Sequence, residues 1–229
     1  MMQKFLGKEW AYHLEGRLSP AKFKVLGEKI KELRQTFTIY PSKENVFKAF
    51  HLTPFDEVKV VLIGQDPYHD GSADGLAFSA SLNTLKCPPS LKNILGEIER
   101  SYPQNSARLD YGSLDPWDLS RWARQGVFLT NTAYTVQRSK PGSHVVYWKP
   151  FFKEVVKTIN EHRQDVVWLL LGNEAKEFKF FITNPSHAVV EAAHPAADLY
   201  RKESLFYGSG CFEKVNEELS ARNIKEIIW

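Results

Sequence analysis

Four short apolar runs constrain this chain more than any other feature of its sequence. They cover residues 58–63 (VKVVLI), 127–130 (VFLT), 166–171 (VVWLLL) and 188–190 (AVV). The third run has no charged residue, as suits a strand covered on both faces. Segments with helical spacing lie between the runs. One spans 91–102 and follows Ser90, read as its N-cap after Pro88 and Pro89. Another, 148–162, places Phe152, Val155, Val156 and Ile159 on one face. Residues 205–219 read as a last helix, and 20–34 with 45–50 as an N-terminal pair. Strands alternating with helices predict the α/β class. The expected architecture is a three-layer α/β/α sandwich around a central four-stranded parallel sheet.

Composition narrows the function. Thirty basic side chains oppose 27 acidic ones in 229 residues, a formal charge of +3. Such a balance argues against binding nucleic acid by bulk attraction. Hydrophobic residues at 43% suffice for one sizeable core, so 1–229 is read as a single domain. Two cysteines, Cys87 and Cys211, cannot build a disulfide framework or a four-cysteine metal site. The first residues lack the apolar core of a signal peptide, and no run reaches membrane-spanning length. The expectation is an intracellular, cytoplasmic protein.

In an open parallel sheet, ligands bind outside the carboxyl ends of the strands. The residues after each run therefore carry the functional signal. They are Gly64-Gln65-Asp66-Pro67-Tyr68-His69, then Asn131, then Gly172-Asn173, then His194-Pro195. One rim thus receives a carboxylate, amides, a phenol and an imidazole. Three readings of Asp66 stay open on these grounds. It makes an Asx turn, or it joins His69 and Asp70 around a hard cation. Otherwise it orients water in a metal-free hydrolysis, with His194 acting on the leaving group.

The run GQDPYH at 64–69, followed by GLAFS at 75–79, resembles the signature of the family 1 uracil-DNA glycosylases. Further matches follow in order: LTPFDEVKVVLIGQDPYH at 52–69, PPSLKNIL at 88–95, GVFLTNTAYTV at 126–136, Ala193-His194-Pro195, and FYGSGCFEKVNEEL at 206–219. The resemblance covers most of the chain from Tyr40 to Trp229. It implies release of uracil from DNA as the first step of base excision repair. Phe78 then corresponds to the ring on which uracil stacks. Tyr68 corresponds to the residue at the C5 edge, where thymine's methyl group would clash. Asn131 matches the amide that pairs with the uracil edge, and a wrong bidentate match costs about 1–3 kcal/mol. Asp66 would stabilise the sugar cation and position water. His194 would hydrogen-bond the keto oxygen as a neutral donor, and Gln65 would support the pocket.

The same resemblance implies no cofactor and no metal. Its implied partners are single- and double-stranded DNA containing uracil, and an inhibitor protein of the kind that binds the family. A monomer is expected. DNA contacts fall on Pro88, Pro89, Ser90, Gly172, Asn173, Pro195, Leu199, Tyr200 and Arg201. The sequence departs from the family pattern at several of these places. Where the family has histidine-proline-serine-proline-leucine, this chain has His194-Pro195-Ala196-Ala197-Asp198. Asp198 therefore stands at the position of the leucine that enters the DNA stack, and the following segment is about two residues longer. Leu199, then Tyr200, become the candidates for that wedge. Cys87 and Asn173 replace a proline and a serine. A catalytically weak DNA-binding relative is the alternative these changes motivate. Arg138, Lys140, Arg201 and Lys202 are the cations available for a local basic rim.

Overall fold

The computed structural model describes residues 2–81, 84–105, 117–199 and 204–229. Strands are β1 (Ile39–Tyr40), β2 (Val60–Gly64), β3 (Val127–Asn131), β4 (Val136–Gln137), β5 (Val167–Leu171) and β6 (Ala188–Ala192). The helices are α1 (Met2–Leu6), α2 (Lys8–Leu14), α3 (Pro20–Thr36), α4 (Lys48–Leu52), α5 (Pro89–Ser101), α6 (Ser120–Ala123), α7 (Val145–His162), α8 (Asn173–Lys176) and α9 (Cys211–Ala221). The four apolar runs form one parallel sheet, ordered β3-β2-β5-β6. β1 and β4 pair separately as a short antiparallel ribbon, which the sequence reading missed.

The strand order explains where a site must form. The chain leaves β2 towards β3 on one side, then crosses to β5 on the other. Right-handed crossovers in opposite directions put their helices on opposite faces. α7 therefore covers one face, with α2 and α3 packed on it, while α9 covers the other beside α5. β2 and β5 are buried along their whole length. The reversal point lies between these two strands, and the crevice beyond their carboxyl ends is the natural ligand position. One apolar cluster holds the layers together and includes both Met2 and Trp229. Trp10 stacks on Phe128 of β3 at 4.6 Å, and its indole N–H donates to the Thr53 carbonyl at 2.9 Å. Among the described residues, no helix is long and apolar enough to cross a membrane.

Two helix boundaries differ from expectation. α5 begins at Pro89 with Pro88 as its cap residue, so Ser90 lies inside the first turn. Proline lacks an N–H that the first turn would leave unpaired, and its fixed φ suits the helix start. α9 begins at Cys211 rather than near 205. The backbone N–H groups of residues 205–208 and of Gly210 are bonded to carboxylates of Asp198 and Glu97, outside any helix.

Candidate active site

The ends of β2 and β3 are laced together. Thr132 N–H donates to the Gly64 carbonyl at 2.9 Å. The Thr132 hydroxyl and the Ala133 N–H both donate to the Gln65 carbonyl, at 2.7 and 2.9 Å. These bonds bring Gln65 beside Asn131. Gly64 is required by the approach of its neighbours. A Cβ there would run into Asn131 Oδ1 and would meet Phe78 Cε2 at 3.4 Å. The missing side chain thus seats the Asn131 amide and the Phe78 ring against the backbone of β2.

Asp66 follows on the same turn and is partly buried. Its Oδ2 accepts the N–H of Gly142, 76 residues further along the chain. Burial pushes its pKa above the ordinary carboxylate value, against the opposing pull of the Gly142 bond and the His69 charge. The Gly142 segment is itself anchored. Ser139 N–H donates to the His69 carbonyl at 3.0 Å, and Gln137 N–H donates to Ser143 Oγ at 2.9 Å. Trp148 Nε1–H donates to Thr135 Oγ1 at 2.7 Å. Thr135 in turn lies 2.8 Å from His144 Nδ1, and the buried His144 closes the loop onto α7.

Tyr68 and Phe78 form a rigid pair. The phenol donates to the Phe78 carbonyl at 3.1 Å, and burial drives the phenol pKa far up. Phe78 holds φ at 62°, a left-handed conformation that costs an ordinary side chain energy and recurs at functional sites. Its ring lies 5.9 Å from that of His194, tilted by 49°.

His194 follows β6. Ala196 N–H donates to its Nδ1 at 3.1 Å, which leaves the ring proton on Nε2. Burial lowers its pKa, so the neutral ring is favoured. Gly172 packs on this histidine: its φ is +86°, and a Cβ there would meet His194 Cβ at 2.8 Å.

Gln65, Asp66, Tyr68, Phe78, Asn131 and His194 all line one cleft of about 530 Å³. Ser90, Gly172 and Asn173 stand on its wall as well. Pro88 and Pro195 are buried, Pro89 is exposed, and none of the three lines the cleft. Leu199 ends a short 3-10 turn, but its side chain lies outside the described residues, as do Tyr200, Arg201 and Lys202. Arg138 and Lys140 are exposed on the loop that carries Gly142. The Asp70 carboxylate accepts from the N–H and hydroxyl of Ser72, at 2.9 and 2.6 Å. Among the described residues, no three histidine, cysteine or acidic groups cluster as metal ligands.

Comparison with known proteins shows the family. The model of the uracil DNA glycosylase superfamily matches residues 50–220. The chain belongs to that superfamily. A protein of Alkaliphilus metalliredigens named uracil-DNA glycosylase is 37% identical over 226 residues, 98% of this chain and 95% of the relative. One of Borrelia turicatae, with the same name, is 38% identical over 226 residues, 97% of each chain. The likeness in fold extends to a variant of mimivirus UNG in complex with UGI. That match has a TM-score of 0.84 at 24% identity, covering 100% of this chain and 90% of that one. As a superfamily member the protein is an N-glycosidase-type hydrolase.

Sequence reasoning missed Pro141, which lines the cleft, and Gly142, which donates to Asp66. Their signal was a proline-glycine pair beyond the strand bearing Asn131. It also missed the work done by Asp198, whose carboxylate is committed to the backbone of residues 205–207.

Proposed function

We propose that the protein hydrolyses the N-glycosidic bond between uracil and deoxyribose in DNA and leaves an abasic site. One observation carries the reading. His194, favoured as a neutral Nε2–H donor, shares a cleft with the carboxylate of Asp66, the amide of Asn131 and the ring of Phe78.

The target base must leave the stack to reach such a cleft. Uracil then stacks on Phe78, with Tyr68 across its C5 edge. Asn131 accepts the ring N–H and donates to the neighbouring keto oxygen, a pattern that cytosine reverses. Gln65 completes the wall. As the C1′–N1 bond breaks, its electron pair leaves with uracil and positive charge grows on the sugar. Asp66 faces that charge and orients the water whose oxygen bonds to C1′. His194 Nε2–H donates to the keto oxygen, where the negative charge gathers. The proton released by water balances the departing uracil anion through solvent. Ser90, Gly172 and Asn173 contact the DNA strand at the cleft wall, with Pro88, Pro89 and Pro195 shaping the loops behind them. Leu199, Tyr200 and Arg201 belong to the segment assigned to duplex contact, and Arg138 and Lys140 supply local positive charge.

The same reading has residues 1–229 as one domain, because one apolar cluster contains both Met2 and Trp229. It has a monomer working in the cytoplasm without a cofactor, checked by sedimentation and cell fractionation. An inhibitor protein like that bound to mimivirus UNG would compete for the same cleft.

The test is release of uracil from single- and double-stranded oligonucleotides in the presence of a chelator. No release from either substrate would overturn the reading. The pH profile is a sharper part of the same test. Both active forms are deprotonated: Asp66 ionised, His194 neutral. Asp66 is shifted up from 3.8 and His194 down from 6.5. Activity therefore falls on the acid side, as Asp66 or His194 takes up a proton. Loss of activity on the alkaline side as His194 gives up a proton, the mark of an imidazolium donor, would remove the neutral-donor assignment.

Tyr68→Ala tests the steric gate. Removing the ring opens the C5 edge, so the variant releases thymine from DNA at a rate measurable above the parent. A variant that stays strict for uracil would place the discrimination elsewhere.

A further inference from the structure

We propose that Asp198 is a positioning residue for His194, a role that rests on the uracil-DNA glycosylase reading above. Counting forward from His194 puts Asp198 at the family's inserting leucine, where a carboxylate would be repelled by phosphates. The structure gives this side chain a different task. Oδ1 accepts the N–H of Leu205 at 2.6 Å and of Phe206 at 2.9 Å, and Oδ2 accepts that of Tyr207 at 2.8 Å. The next N–H groups go to a second carboxylate. Glu97 Oε2 accepts from Gly208 at 2.6 Å, and Oε1 from Gly210 at 2.8 Å. Glu97 is fully buried, and the Arg100 guanidinium grips both its oxygens at 3.0 Å. Such charge-assisted bonds are roughly twice as strong as neutral ones.

These clamps connect to the catalytic histidine through α5. Asn93 stands one turn before Glu97 on that helix, so both lie on one face. Its Nδ2 donates to the Pro195 carbonyl at 2.7 Å. One helix face thus holds the chain just after His194 and again just before α9. Asp198 ties these two held points to each other. Within the turn, Ala197 N–H donates to the His194 carbonyl at 2.8 Å and Ala196 N–H to Nδ1 at 3.1 Å. The segment is about two residues longer than the family pattern, and extra length raises the entropy of closing a loop. Asp198 offsets this by closing the turn early, which leaves the imidazole little freedom to swing away from the substrate.

Asp198→Ala opens the far end of the turn. Misplacing a catalytic group by about 1 Å can cost about 10²-fold, so kcat on a single-stranded uracil oligonucleotide falls about tenfold or more, with KM within about twofold. Asp198→Asn keeps one acceptor oxygen and falls between parent and alanine. The imidazole proton resonances of His194, titrated by NMR, give a readout that global stability does not move. As His194 gains solvent, its pKa rises towards 6.5 in the alanine variant. The other titratable groups lining the cleft, Asp66, Tyr68, His69 and Glu174, stay unchanged by design. Equal kcat and equal His194 titration in all three proteins would overturn the proposal. So would a loss confined to KM on duplex DNA, since Asp198 would then serve DNA grip alone. A parent that releases no uracil would defeat the functional reading instead. The His194 titration would still decide whether Asp198 positions the ring.

Discussion

Asp66→Asn lowers kcat for uracil release about 10²- to 10³-fold, the range found when one group facing developing charge is removed. The dissociation constant for uracil-containing DNA stays within about threefold. The substitution keeps shape and can keep the bond from Gly142, since the amide oxygen still accepts that N–H. It removes only the negative charge. Burial already disfavours the ionised form, so the carboxylate is held against its own tendency to take up a proton. An anion in that state is poorly solvated, and a cation growing on the sugar is the charge it can stabilise. The interaction exists in the transition state and hardly at all with the neutral substrate, so kcat carries the loss and binding does not. Linkage gives an independent sign. A carboxyl whose folded pKa is raised disfavours folding above that pKa, and the penalty disappears as pH falls through it. The uncharged variant is therefore no less stable than the parent at pH 7. Single-turnover kinetics, equilibrium DNA binding and thermal melting at pH 7 check the three statements. Unchanged turnover would end the role given to Asp66.

The site's residues were legible in the sequence because they sit at strand ends. The apolar runs locate the strands, the parallel sheet they predict puts the crevice beyond their carboxyl ends, and the residues that end or follow each strand face it. Asp66, Asn131, Gly172 and His194 follow from that rule, and all four line the cleft. Contacts that depend on distant loops were not legible. Nothing near Asp66 announces that its partner is Gly142, because that bond joins two connections whose meeting depends on the finished fold. The task of Asp198 was hidden for the same reason. A count from His194 put Asp198 at the wedge position and passed the wedge on to Leu199 and Tyr200, and the three N–H groups that claim its carboxylate come from beyond the lengthened segment. Helical spacing in residues 205–219 was real only from Cys211 on. The first six of those residues give most of their N–H groups to Asp198 and Glu97, and backbone bonded in that way cannot also propagate a helix.

Gly64→Ala is expected to lower kcat/KM for uracil about 10²-fold or more while the protein remains folded. The residue touches neither the sugar nor the reacting bond in the proposed mechanism, so the effect must pass through its neighbours. A methyl group on Gly64 would approach Asn131 Oδ1 well inside 3.0 Å, a separation that real Cβ atoms do not show. The backbone of β2 cannot retreat, because Gly64 is paired with Asn131 in the sheet and its carbonyl accepts the Thr132 N–H at 2.9 Å. The amide must rotate instead. A rotated Asn131 no longer offers its acceptor to the uracil N–H and its donor to the keto oxygen. A site built to hydrogen-bond one edge discriminates about 10⁴-fold against partners that leave its polar groups unpaired, and the variant turns that penalty on the correct base. Ala77 Cβ at 3.3 Å and Phe78 Cε2 at 3.4 Å leave slight further crowding. Overpacking of this kind costs about 1–3 kcal/mol, a lower Tm but a folded protein. Steady-state kinetics and thermal melting on the same preparation separate the two effects. A variant with parental kcat/KM would show that Asn131 is free to move without loss, and uracil recognition would then have to be sought in other groups of the cleft.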